Sequence, residues 1–229
     1  MIFISPSDYV YTPVVEPGEY EIDLKYGSAR PRPGDEQQAA NSIGFGATPG
    51  ERWFTELYAK WQQNPVDGHH FDAVEWENRY QLTERGAHDY ELGIVSEIER
   101  PHDRNDGYEF KVGGMYQTRL AQRWVVNANV LLTRNFKAVQ DVGPQLGYQF
   151  QLKYRLAERF EPGLQVFGAL GDATHWLPAS QQYHAAGPAL FGVLPLGGGQ
   201  HLRYNAAWLR GLTEGAPRDT LRVQVELEF

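Results

Sequence analysis

The sequence predicts an all-β fold, a closed antiparallel transmembrane β-barrel of about twelve strands with short periplasmic turns and longer extracellular loops. Three observations carry that expectation. Apolar and polar residues alternate with period two almost from end to end. The connections between the alternating runs change regularly in length, and ring residues gather near the ends of the apolar faces. Mean hydropathy is -0.52, and no apolar run approaches the roughly 18 residues that a membrane helix needs. Alternating strands average out near neutral, so such a value does not count against a barrel.

Residues 1–17 precede the first run and read as an N-terminal periplasmic segment; residues 18–229 read as the barrel, with no linker or change of composition to divide them. In the first run, 18–29, Tyr20, Ile22, Leu24 and Tyr26 share one face and Glu19, Glu21, Asp23 and Lys25 the other. A helix cannot produce that pattern, because its apolar stripe returns every three to four residues. The runs that follow are 40–47, 52–63, 69–83, 88–101, 107–120, 124–136, 144–156, 160–172, 183–196, 201–212 and 220–229. Most reach the ~9–11 residues of a tilted membrane strand; 40–47 is short, and 183–196 has two prolines and no clear phase.

Between these runs the odd-numbered connections (30–39, 64–68, 102–106, 137–143, 173–182, 213–219) are longer than the even-numbered ones (48–51, 84–87, 121–123, 157–159, 197–200). Short turns on one rim and longer loops on the other are a property of outer-membrane barrels, and an even strand count puts both termini on the short-turn rim. Alternation also fits a soluble sandwich with its apolar face inward. Trp53, Trp61, Trp76, Tyr80, Tyr108, Trp124, Phe136 and Trp208 near strand ends argue instead for an interfacial girdle. A closed sheet is also the only kind that leaves no backbone group unpaired in lipid.

Composition removes several kinds of chemistry. The chain has no cysteine, which excludes disulfides and thiolate sites. Its net charge of -8 argues against a nucleic-acid partner. Met1-Ile2-Phe3-Ile4 is too short for a signal core, so a membrane reading implies a leader on the natural precursor. Lipolysis at the barrel wall needs a Ser–His pair on the lipid face; Ser96 has no such histidine, and no enzyme is expected. His69, His70, His102, His175 and His184 fall by the longer loops near Asp67, Asp72, Asp103, Asp106 and Asp172. Polar loops collect both residue types, so no metal and no cofactor is expected. Asp103-Arg-Asn-Asp-Gly107 reads as a turn, and Gly44-Phe-Gly46-Ala-Thr-Pro-Gly50 as a strand running into one.

The strongest constellation is the face opposite the apolar one. Its acids are Glu19, Glu21, Asp23, Glu56, Glu75, Glu77, Asp89, Glu91, Glu97, Glu99, Glu109, Glu161, Glu226 and Glu228. Its bases are Lys25, Lys60, Arg79, Lys111, Arg119, Lys153, Arg155, Arg203 and Arg222. Fourteen acids less nine bases leave five negative charges facing the lumen. The leading expectation is a narrow hydrated pore with a weak preference for cations; the alternative is a barrel plugged by these side chains, acting through its loops. Inward Gly93, Gly113, Gly147, Gly163 and Gly171 read as open space. Arg134 and Arg210 interrupt the apolar phase at loop-side ends, where they either sit in bulges that turn them inward or meet lipopolysaccharide phosphates.

The last strand, Leu221-Arg-Val-Gln-Val-Glu-Leu-Glu-Phe229, alternates to a terminal aromatic. It resembles the strand that outer-membrane proteins present to the barrel-assembly machinery, which makes Phe229 the expected assembly signal and that machinery an expected partner. Asp8-Tyr-Val-Tyr-Thr-Pro13, Glu75-Trp-Glu-Asn78, Gln149-Phe-Gln-Leu-Lys-Tyr-Arg155, Tyr204-Asn-Ala-Ala-Trp208 and Gly211-Leu-Thr213 resemble the proteobacterial "MetA-pathway of phenol degradation" transporter-like outer-membrane proteins. That resemblance implies a barrel in the bacterial outer membrane, among lipids that include lipopolysaccharide, taking up small organic solutes. It supplies no catalytic or binding residue.

Overall fold

The computed structural model describes residues 4–33, 37–140 and 142–229; Met1–Phe3 and small parts of the expected loops 30–39 and 137–143 lie outside them. Twelve strands follow one another: β1 (Tyr20–Arg30), β2 (Gln38–Ala47), β3 (Trp53–Asn64), β4 (Gly68–Gln81), β5 (Tyr90–Pro101), β6 (Tyr108–Leu120), β7 (Trp124–Phe136), β8 (Gln145–Tyr154), β9 (Glu161–Asp172), β10 (Tyr183–Gly197), β11 (Gln200–Gly211) and β12 (Asp219–Glu228). Each pairs antiparallel with the next, and β1 pairs with β12 to close the barrel. The seam is sealed at its lower end by reciprocal bonds between Tyr20 and Phe229, N to O at 3.1 and 2.9 Å.

Period-two alternation becomes an inside and an outside. In β1 Glu21, Asp23 and Lys25 are buried while Leu24 and Tyr26 are half exposed on the outer face. The outer face carries exposed Phe45, Leu57, Trp76, Ile94, Val130, Leu164, Trp208 and Leu221, an apolar belt of the kind that lipid requires. The chain is thus a closed twelve-stranded transmembrane barrel with almost no helix; Arg104–Asp106 forms one short 3₁₀ turn capped by Asp103, within the expected turn.

Four local expectations are corrected. The second strand runs to ten residues, because its inward positions Ala40, Ser42, Gly44 and Gly46 are small rather than conspicuously polar. The tenth resolves its phase with Ala185, Ala189 and Phe191 inward. Pro188 cannot donate to a ladder, and the β10–β11 pairing skips from Ala186 to Ala189 around it. The turn after β4 spans 82–89, double its expected length, because Glu91 closes it by accepting from Gly86 N (2.9 Å) and from Thr83 Oγ1. It puts Asp89 on the exposed rim, not on the wall. Arg134 and Arg210 lie in unbroken register opposite Phe110 and Asp219; neither is in a bulge, and both keep the outward phase.

Candidate functional site

The lumen is occupied by the chain's own N-terminal segment, which was expected outside the barrel. Val14, Val15, Glu16 and Pro17 line a cavity of about 1400 Å³ at the short-turn end. Ile4, Ser5 and Asp8 line a second cavity, of about 780 Å³, at the loop end. The two share no lining residue. Between them the segment crosses a waist built from several strands.

At the waist Tyr9 Oη donates to Glu77 Oε2 (2.5 Å), and Tyr11 Oη donates to Glu97. Lys111 Nζ donates to Glu97 Oε2 (2.5 Å). Lys25 Nζ lies 3.2 Å from Asp23 Oδ2 and over two rings, 3.6 Å from Tyr9 and 3.7 Å from Tyr58. The Tyr58 hydroxyl, in turn, is within reach of Asp23 (2.8 Å) and Glu56 (2.6 Å). Arg79 meets Glu77 at 3.0 Å and Glu21 at 3.8 Å, and stacks on Phe54. Buried charges survive only when paired and hydrogen-bonded; these tyrosines supply the hydrogen bonds that the wall's own bases leave unmade.

The opposite wall holds the segment by amides. Register aligns Gln117, Asn127, Gln151 and Gln165 in one inward row across β6–β9, with Met115, Asn129, Gln149 and Phe167 in the next. Asn129 Nδ2 donates to Tyr11 O (3.1 Å) while Gln149 Oε1 accepts from Tyr11 N (3.3 Å). The pair thus satisfies both backbone groups of Tyr11 as a neighbouring strand would. Gln117 accepts from Thr12 Oγ1 (3.0 Å), and on the charged wall Gln81 of β4 accepts from Val15 N (3.0 Å). Counting charges overlooked these amides. Their signal was the inward phase of Asn127, Asn129, Gln149 and Gln151.

The remaining wall charges lie above and below. Lys60 binds Glu75 (2.9 Å) and Glu99 on the loop side, where Glu109 also lines the upper cavity. At the short-turn mouth Glu19, Glu21 and Glu228 place carboxylate oxygens within 4.8 Å of one another, and Arg203 pairs with Glu228. Burial and the Glu228 carboxylate beside it raise the Glu19 carboxyl to about 8. Gln224 Nε2 joins Asp23 (3.0 Å) to Glu226 (2.7 Å). Lys153 and Arg155 face Glu161 at 3.2 and 3.9 Å, and Arg119 is exposed at the rim. Arg222, buried, lies over Phe167 beside an apolar strip of Ala185, Ala189, Phe191, Ala207 and Leu209. Glu91 is spent on its turn.

Four of the five glycines expected to face open space are filled; the fifth, Gly147, does border the loop-end cavity. A Cβ on Gly93 would lie 2.8 Å from Met115 Cε and 2.9 Å from Pro13 Cβ; on Gly113 it would strike Leu131, and on Gly163 Leu152 O. Gly171 combines φ +94 with contact to Leu177. The loop histidines disperse: His69 bonds Asn41, His184 bonds Tyr148 and Gln182, and His175 lies 3.8 Å from Asp172. Among the described residues, the two groups of three clustered carboxylates include no histidine.

Lys25 is the cation on which the waist depends. Replacing it by Met leaves Asp23 and Glu56, 1% and 2% exposed, without their compensating charge. Breaking a buried pair from one side costs about 3–5 kcal/mol, so Lys25→Met should lower the unfolding midpoint in detergent markedly. Lys25→Met with Asp23→Asn should recover most of the loss; no recovery would mean that packing, not charge, sets the effect.

No family model matches the chain, and no curated protein does. Solved structures do match along its length. The COG4313 outer membrane channel from Pseudomonas putida F1 superposes with a TM-score of 0.65 at 13% identity, covering 99% of each chain. The NanC porin gives 0.59 at 8% identity, covering 92% of this chain and 98% of its own. The KdgM porin in complex with disordered oligogalacturonate gives 0.56 at 9%, covering 90% and 98%. At such identities the likeness is one of fold: all are outer-membrane β-barrels.

Proposed function

We propose that this barrel sits in the bacterial outer membrane as a channel for small solutes, without enzymatic activity, and that its N-terminal segment throttles it. The observation that carries this reading is the pair of cavities lying end to end along the axis, with one strand-like segment and its partners between them. Shifting that segment would join them. The resemblance to phenol-pathway transporters points to small organic compounds as the solutes. Lipopolysaccharide at the outward arginines and the assembly machinery at Phe229 complete the expected partners. One observation favours a permanently closed barrel acting through its loops: most wall bases already contact a wall acid.

Planar-bilayer recording and liposome swelling separate the two. A chain beginning at Gly18 should conduct ions several-fold better than the whole chain and admit larger solutes. If both forms conduct alike, the segment is no throttle; if neither conducts, the wall itself is the plug and the channel reading fails.

A further inference from the structure

Three arginines gather around one carboxylate on the outer face of the closing seam. Asp219 of β12 lies in register between Arg30 of β1 and Arg210 of β11, and Arg218 precedes it in the chain. Arg210 Nη1 is 3.0 Å from Asp219 Oδ1, while Arg30 Nη1 and Arg218 Nε are each 3.8 Å from Oδ2. The Asp219 side chain is 10% exposed beneath them; the arginines keep 52–69% of their surface open.

Their placement is fixed from behind. Arg218 N donates to Arg30 O (3.0 Å) and Gly211 N to Arg218 O (3.1 Å). Arg32 holds the same loop by donating to Ala216 O (2.8 Å) and Thr213 O (2.7 Å). One arginine would neutralise Asp219. Among the described residues, three against one leave two positive charges in excess, which repel each other, and exposed ion pairs add little to stability. The excess is open to a further anion.

The next outward row down the seam is Ser28, Leu221 and Trp208, the last two half exposed in the apolar belt. The arginines stand where that belt ends on the loop side, at the depth of lipid headgroups. Guanidinium forks suit phosphate oxygens bidentately. The geometry points to a binding site for the phosphate groups of a phosphorylated outer-leaflet glycolipid, held by Arg30, Arg210 and Arg218. The assignment rests on the outer-membrane orientation proposed above, not on conduction.

Native mass spectrometry of the whole chain in detergent tests it, with a diphosphorylated lipid A, the same lipid dephosphorylated, and inorganic pyrophosphate as probes. The chain should retain the phosphorylated lipid at least tenfold better than the dephosphorylated one. Arg30→Gln with Arg218→Gln leaves the Arg210–Asp219 pair intact and should abolish that preference. Arg123→Gln, at the opposite rim, should keep it. Heat-modifiable gel mobility checks that each variant is folded. Retention by the unmodified chain should also fall as salt rises, a measurement that needs no variant. Equal retention of the two lipids, an unaffected double variant or salt-independent binding each overturns the site. Pyrophosphate bound as tightly as the lipid would make it a free-anion site and overturn the glycolipid assignment. No channel recording enters, so failure here leaves the conduction reading intact.

Discussion

Tying the segment to the wall should close the barrel, and cutting the tie should reopen it. A Cβ at position 93 would lie 2.9 Å from the Pro13 Cβ, while a disulfide wants about 3.8 Å. A shift of the segment by roughly 1 Å meets that requirement, and Met115 is unbranched enough to move aside. The chain has no cysteine of its own, so Pro13→Cys with Gly93→Cys creates its single thiol pair. Oxidised, the protein should carry almost no current in a planar bilayer; after reductant it should regain the conductance of the unmodified chain. Faster migration of the oxidised, heat-denatured band would show that the bridge formed. Equal currents before and after reduction would mean that ions pass beside the segment, and the throttle would be lost as an explanation.

The converse change should open the barrel from the wall. Gly27 faces inward on β1, and a Cβ there would fall on the Pro6 carbonyl and 2.6 Å from Ser7 N. These are backbone atoms, with no rotamer to yield, so Gly27→Ala must lift the segment away at that point. The strand itself loses nothing, since Gly weakens strand interiors. Conductance should rise toward that of the chain beginning at Gly18, with little change in the unfolding midpoint. Gly114→Ala makes the matching control, because nothing lies within 4 Å of a Cβ on that outward residue. If Gly27→Ala conducts no better than Gly114→Ala, the close approach of Pro6 does not restrict flow.

The barrel was legible because lipid and lumen impose opposite chemistries on successive residues. The alternating run 18–29 became Tyr20–Arg30 and 220–229 became Asp219–Glu228. Legibility failed where the alternation carries no contrast: small residues on both faces hid the start of β2, and the apolar inner face of β10 blurred its phase. The site was half legible. Phase set the wall charges, but which acid each base meets depends on rotamers and on the segment. That segment left no periodic trace. It is broken by Pro6, Pro13 and Pro17, and its partners lie far away in sequence, Gln149 for Tyr11 and Glu77 for Tyr9. Its footprint on the wall is two inward glycines, Gly93 against Pro13 and Gly27 against Pro6, and Gly93 reads from the sequence as empty space. A wall glycine marks where another chain comes close as readily as where nothing does.

The seam between β1 and β12 also governs how such a chain can fold in time. Eleven of the twelve ladder pairings join strands adjacent in sequence, hairpins of the kind that zip within microseconds. The twelfth sets Ile22 opposite Leu227, and a contact between residues so distant carries the loop-closure entropy of nearly the whole polypeptide. Zipping is therefore quick and closure slow. During that delay the segment preceding β1 can lie along an open, curling sheet, in contact with Glu77, Glu97 and Gln149, before the last edge arrives. A sheet wrapped around its own first residues has a ready-made radius, and the strand that ends the chain needs only to find the strand that began it.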